Sequence, residues 1–158
     1  MNDFLIDMLE RHEGFRSQMY KCTADKWTIG YGHNLEDKGI SKKASRQILR
    51  DDIGDAVRDA LDVFPTLWTY GEARYSALID LAFNIGLPSL RSFKKMIAAV
   101  NAAAWDTAAD ELKDSVWYTQ VGNRGIELVQ LLKTGDINKD TFDIDTHVKH
   151  AIPRINCL

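Results

Sequence analysis

Long hydrophobic runs are missing from this chain: no stretch approaches the ~18 consecutive apolar residues that a membrane-spanning helix needs. The first residues, Met1-Asn2-Asp3-Phe4-Leu5-Ile6-Asp7, lack the basic start and apolar run of a secretion signal. The expectation is therefore a protein without export information of its own and without membrane insertion. Cysteine is scarce. Two residues, Cys22 and Cys157, make no disulfide framework, and both are expected as free thiols, as in a protein made in a reducing compartment. An excess of one charge is also missing. With 20 basic and 23 acidic side chains the net charge is −3, which gives no global attraction to nucleic acid or to an anionic wall. Any such attraction would have to be local, for example around Lys42, Lys43 and Arg46 or around Arg91, Lys94 and Lys95. No repeat and no low-complexity linker interrupts the chain.

What remains is an ordinary globular composition, 45% hydrophobic and 27% charged over 158 residues, enough for a single domain of residues 1–158 with a sizeable core. Phe4, Leu5, Met8, Leu9 and His12 fall on one side of a short helix over 3–12. Asn2 or Asp3 can cap it, and Gly14 stops it. Residues 15–35 change to strand formers, Tyr20, Trp27, Thr28, Ile29 and Tyr31. A turn at Ala24-Asp25-Lys26 predicts a small antiparallel sheet of two or three strands. Helical spacing returns from 41 to 64, with Ser41 as cap, Pro65 as stop and a buried face of Ala44, Ile48, Ile53, Ala56, Val57, Ala60, Leu61 and Phe64. Further helices are expected over 71–85, 89–101, 104–115 and 123–133, with Gly86 and Gly135 as helix ends. The stretch after Thr134 reads poorly. Asp136, Asn138 and Asp140 alternate like the start of a calcium loop, but the required glycine is absent and His147 stands where the closing acid belongs. A loop and a short helix around 144–151 are the better reading, with no metal.

The densest chemical information lies in Glu13-Gly14-Phe15-Arg16, Tyr20-Lys21-Cys22 and Trp27-Thr28-Ile29-Gly30-Tyr31-Gly32-His33. Eight residues separate Glu13 from Cys22, and five separate Cys22 from Thr28. A lone acid at a helix end facing a glycine-rich hairpin suggests a proton donor. Breaking a glycosidic bond requires such a donor, a carboxyl group still protonated near neutral pH. Glu13 fits if the fold screens it from water.

In order and spacing these segments resemble the active-site stretch of the phage-type lysozymes, most closely the T-even kind. The likeness continues in Ala82-Phe83-Asn84-Ile85-Gly86, Trp105-Asp106-Thr107-Ala108-Ala109, Trp117-Tyr118-Thr119-Gln120 and Asn123-Arg124, and covers about residues 3–135. It implies an α+β, mostly helical fold. A small lobe, about 14–62, would hold the hairpin sheet; a helical lobe would comprise about 1–13 plus 63–158, and a long helix would join them. It implies Glu13 as general acid and Thr28 as a holder of the attacking water. Gly32, His33 and Phe83 would line the glycan site, and Arg124 would support the acid. Read by themselves, His33 tying strand to helix and Phe83 as a core residue are the plainer alternatives. Tyr20 and Trp27 suit hairpin packing better than sugar stacking, and Trp105 and Trp117 suit the helical core.

One position departs from the family pattern. Where a carboxylate normally helps water attack the far face of the sugar, this chain has Cys22. A thiol is neutral at its ordinary pKa, but Lys21 and Lys26 could favour the thiolate, which can accept a proton from water or attack the anomeric carbon. The resemblance therefore implies an endolysin hydrolysing the bond between N-acetylmuramic acid and N-acetylglucosamine in bacterial peptidoglycan. It would work as a monomer without cofactor, metal or nucleic acid. Made in the host cytoplasm, it would be released through a holin lesion it does not touch, and would act on the wall in the periplasm. Two alternatives stand beside it: a lytic transglycosylase needing Glu13 alone, and an inert peptidoglycan-binding module.

Overall fold

A computed structural model describes residues 3–137 of the chain. The described residues are mostly helical with one small antiparallel sheet, an α+β fold of the lysozyme-like kind expected. By its packing the chain divides within one helix, and a first unit ends at Arg50 where a second begins at Asp51.

The first unit opens with α1 (Asp3–Glu13). It continues into three strands, β1 (Arg16–Lys21), β2 (Trp27–Gly30) and β3 (His33–Asn34), paired in that order. The register carries an irregularity that matters for the site. Arg16 sits opposite Gly30, and an unbroken ladder would set Gln18 opposite Thr28; Tyr20 is there instead. The extra residues in β1 mark a bulge between Arg16 and Tyr20, on the strand that runs from Glu13 toward Cys22. At the far end the chain turns where expected. The Asp25 N–H donates to the Cys22 carbonyl and the Cys22 N–H to the Lys26 carbonyl. A short helix, α2 (Leu35–Lys38), follows β3 and is capped by the Asn34 side chain, which accepts from the Asp37 N–H.

Among the described residues up to Arg50, Thr28 alone is buried. The expected apolar side of α1 is accordingly not a core face: Phe4, Leu5 and Leu9 are exposed. This unit is held by backbone ladders, caps and ion pairs more than by a hydrophobic interior.

The division falls inside α3 (Lys42–Val63). Ser41 caps it, accepting from the Ala44 N–H. The expected buried face holds for Ala56, Ala60 and Phe64 but not for Ala44, Ile48 and Ile53, which are exposed. Burial along α3 begins only past Asp51, where the helix joins the core of the second unit. That core gathers Phe64, Leu67, Leu78, Leu81, Leu90, Met96, Val100, Leu112, Trp117, Leu128 and Leu132. Phe64 follows directly on α3, whose Ala56 and Ala60 join the same core, and Leu67 opens the one-turn helix Leu67–Tyr70. The others belong to α4 (Glu72–Leu90), α5 (Lys94–Asn101), α6 (Trp105–Lys113), α7 (Val116–Val121) and α8 (Asn123–Thr134).

Gly86 breaks α4 as expected. Its φ of 70° and ψ of 165° interrupt the helical path, and Pro88 lies just beyond. Gly135 caps α8 in the left-handed conformation. The helix expected over 89–101 is shorter, since its first residues belong to the turn that closes α4. The interval after α6 holds α7, which the sequence reading did not separate. Trp117 is buried in the core and Trp105 packs against it, as expected. The loop and helix expected near 144–151, with Asn138, Asp140, His147 and Cys157, lie outside the described residues.

Candidate active site

Glu13 is the last residue of α1 and is exposed. What does approach it is Gly32, in the turn between β2 and β3. A Cβ placed on Gly32 would lie 3.0 Å from Glu13 Oε2, and Gly32 has a φ of 75°. The position therefore demands glycine twice over, by backbone conformation and by the closeness of the carboxylate.

Cys22 begins the hairpin turn, half-buried and with a free thiol. Its environment favours the thiolate. The backbone N–H of Lys26 is the largest influence holding its pKa below the ordinary thiol value; the N–H of Ala24 adds to it, desolvation opposes, and the Thr28 hydroxyl makes a smaller contribution. Hydrogen-bond donors, rather than lysine charge, are thus the cause. The ammonium groups invoked from sequence are engaged elsewhere. Lys26 Nζ lies 3.0 Å from Glu36 Oε1 and 3.1 Å from Asp37 Oδ1. Lys21 Nζ donates to the Asp25 carbonyl at 2.8 Å and stacks on the Trp27 ring.

Thr28 sits on β2, 3% exposed. Its Oγ1 donates to the Lys26 carbonyl at 3.0 Å. A hydroxyl has one proton, so Thr28 donates at any moment either to the Lys26 carbonyl or to the Cys22 sulfur, and in both cases its oxygen keeps lone pairs that can accept.

The remaining expected residues are placed as follows. His33 Nε2 pairs with the Gly39 carbonyl at 2.6 Å, tying β3 to the end of α2, which is the plainer of its two readings. Tyr20 carries the Arg16 guanidinium on its ring, so it and Trp27 both serve hairpin packing. In the second unit Phe83 lies on α4 and is 40% exposed, so it is not a core residue. Arg124, expected beside the acid, forms a two-pronged pair with Asp80, Nε to Oδ1 at 2.8 Å and a second nitrogen to Oδ2 at 3.3 Å. Sequence reasoning missed two partners, Asp80 for Arg124 in the second unit and the Lys26 backbone for Cys22 in the first. Asp80 sits one helical turn before Asn84 on α4, a spacing that signalled nothing about Arg124 far along the chain. Among the described residues no three His, Cys, Asp or Glu side chains converge as a metal site.

A family model described as phage lysozyme matches residues 10–134. The chain belongs to the phage lysozyme family. Its relatives include a probable T4-type lysozyme of Dictyostelium discoideum, 28% identical, with 84% of this chain and 95% of that one aligned. An endolysin of Acyrthosiphon pisum secondary endosymbiont phage 1 is also 28% identical, over 86% of this chain and 92% of its own. The pre-baseplate central spike protein Gp5 of Enterobacteria phage T4 is 27% identical over 92% of this chain, which spans 30% of that longer protein. Membership in the phage lysozyme family makes this chain a glycoside hydrolase.

Proposed function

We propose that this chain is an endolysin that hydrolyses the bond between N-acetylmuramic acid and N-acetylglucosamine, with Glu13, Cys22 and Thr28 as its working residues. The family carries the coarser statement, a lysozyme-like enzyme acting on peptidoglycan. One observation supports the finer reading most. The hairpin places a thiol biased toward thiolate beside a buried hydroxyl at one end, while its other end brings Gly32 against the Glu13 carboxylate.

In this reading Glu13 gives its proton to the bridging oxygen as the bond to the anomeric carbon breaks. Thr28 accepts a hydrogen bond from the incoming water and so aims its oxygen at that carbon. The Cys22 thiolate takes the water's proton as the new carbon–oxygen bond forms. Because Glu13 is exposed in the free chain, the bound glycan supplies the dry surroundings that favour its protonated form. Gly32 leaves room for the sugar beside the acid, and Phe83 offers an exposed ring as a glycan-lining residue. The chain acts as a monomer, needs no cofactor, and reaches the wall from the cytoplasm through a holin lesion.

The thiol is the discriminating residue. Replacing Cys22 by Ala is expected to slow wall cleavage by ~10²-fold or more, the usual size of a general-base contribution, and Cys22→Asp to preserve it. Cleavage by Cys22→Ala at the parental rate excludes the proposed role of sulfur and favours a transglycosylase working through Glu13 alone. The spike-protein relative supports a second setting for the same chemistry, a wall-cutting domain carried by a phage particle. Lysis from within, tested by expressing the chain with and without a holin, separates the two.

A further inference from the structure

Lys26 joins several parts of the hairpin. Its carbonyl accepts from the Cys22 N–H at 3.1 Å and from Thr28 Oγ1 at 3.0 Å. Its own N–H faces the Cys22 thiol. Its ammonium group reaches α2, where Glu36 and Asp37 hold it at 3.0 and 3.1 Å. Glu36 closes the arrangement by accepting the N–H of Trp27 at 3.3 Å, and Asp37 is itself fixed by Asn34. One residue thus touches both hairpin groups assigned to water activation through its backbone, and is tethered to a separate element through its side chain.

We propose that Lys26 is a positioning residue: its side chain, fastened to α2 by Glu36 and Asp37, fixes the peptide units that set Cys22 beside Thr28. This deepens the reading of Cys22 and Thr28 as working residues and rests on it. Two observations make the tether consequential. Thr28 alone is buried among the described residues up to Arg50, so no hydrophobic core holds the turn in shape. The turn also carries a non-glycine residue in the left-handed region, Asp25 at φ 57°, a conformation that persists where its surroundings enforce it. The ammonium is spent on two carboxylates, so the effect on the thiol passes through the backbone amides and not through charge.

The charged groups around the thiol are Lys21, Asp25 and Lys26 on the hairpin and Glu36 and Asp37 on α2. A pure charge effect and a positioning effect predict opposite results when the tether is cut from the α2 side. The test is the pH dependence of Cys22 alkylation by iodoacetamide, measured in a Cys157→Ser background so that only one thiol reacts. Lys26→Met is expected to move the midpoint up toward that of a free cysteine peptide, and Lys26→Arg to keep it. The double variant Glu36→Gln/Asp37→Asn keeps the ammonium but releases it. Positioning predicts a midpoint that rises here too, with kcat for peptidoglycan cleavage falling and KM unchanged. A midpoint that falls or stays put in the double variant overturns the proposal, whatever Lys26→Met does. The alkylation profile needs no turnover. Should the parent protein leave peptidoglycan uncut, the proposed function fails while the bracing by Lys26 is still decided.

Discussion

At the scale of single residues the account rests on a carboxyl group, a thiol and a glycine. Glu13→Gln removes the transferable proton while keeping size, and is expected to abolish cleavage with an unchanged circular dichroism spectrum. Gly32→Ala is the sharper probe. The new methyl group would meet Glu13 Oε2 at 3.0 Å, and a non-glycine residue at this backbone angle costs ~1–2 kcal/mol. The expected outcome is a folded, somewhat less stable protein whose cleavage falls far more than its melting temperature explains; parental activity would show that the Glu13 carboxylate tolerates displacement. The thiol adds a pH signature. Its pKa is held below the ordinary thiol value, so the thiolate forms as pH rises through that lowered value and is lost as pH falls through it. Cleavage limited by the thiolate therefore has an acidic limb that Cys22→Asp shifts to still lower pH.

Between elements, the two units are stabilised by different physics. Lys26 is raised by Glu36 first and Asp37 second, whereas Glu36 and Asp37 are each lowered, chiefly by Lys26. The lysine's contribution is complete below the unfolded lysine value and lost as pH climbs through the folded one. Those of the two carboxylates are complete above their unfolded values and lost as pH drops through the folded ones. The link from β2 to α2 is thus intact between the carboxylate and lysine ranges and fails at both extremes. Lys26 is half-buried and both carboxylates are exposed, so added salt is expected to weaken it. The helical unit answers to packing instead. Leu81 is fully buried in α4, and Leu81→Ala is expected to cost ~2–5 kcal/mol in chemical denaturation. A cost under ~1 kcal/mol would mean that this core is not closely packed.

Much of this was legible at element scale. Ser41, Gly86 and Gly135 mark helix ends because each has a local reason to do so, an oxygen for capping or a backbone without Cβ. The short helices α2 and α7 escaped notice, although Asn34 and Ser115 cap them by the same chemistry, because helices of one or two turns show no periodicity. The exposed half of α3 was misread as a buried face, since spacing reveals an apolar side but not whether a partner covers it. At the site, the types and order of Glu13, Cys22, Thr28 and Gly32 were readable. The source of the thiolate bias was not, because it lies in amide directions that composition does not carry. The pairing of Asp80 with Arg124 joins residues far apart in the chain and leaves no local trace.

For the whole molecule, the contrast between a unit held by ladders and ion pairs and one built on a large core implies uneven stability. Amide hydrogen exchange is expected to be faster in residues 16–34 than in residues 77–82 and 108–112; equal protection would contradict that picture. No described helix is long and apolar enough to cross a membrane, and the account asks for none. Its central claim is that water, activated at Cys22 and Thr28 and met by a proton from Glu13, cuts the glycan strand. Mass analysis of the fragments released from purified peptidoglycan tests this most directly. The account predicts sugars ending in free reducing muramic acid, each heavier by one water than its anhydro counterpart. Anhydro ends, or glycan left uncut at every pH tried, would contradict it.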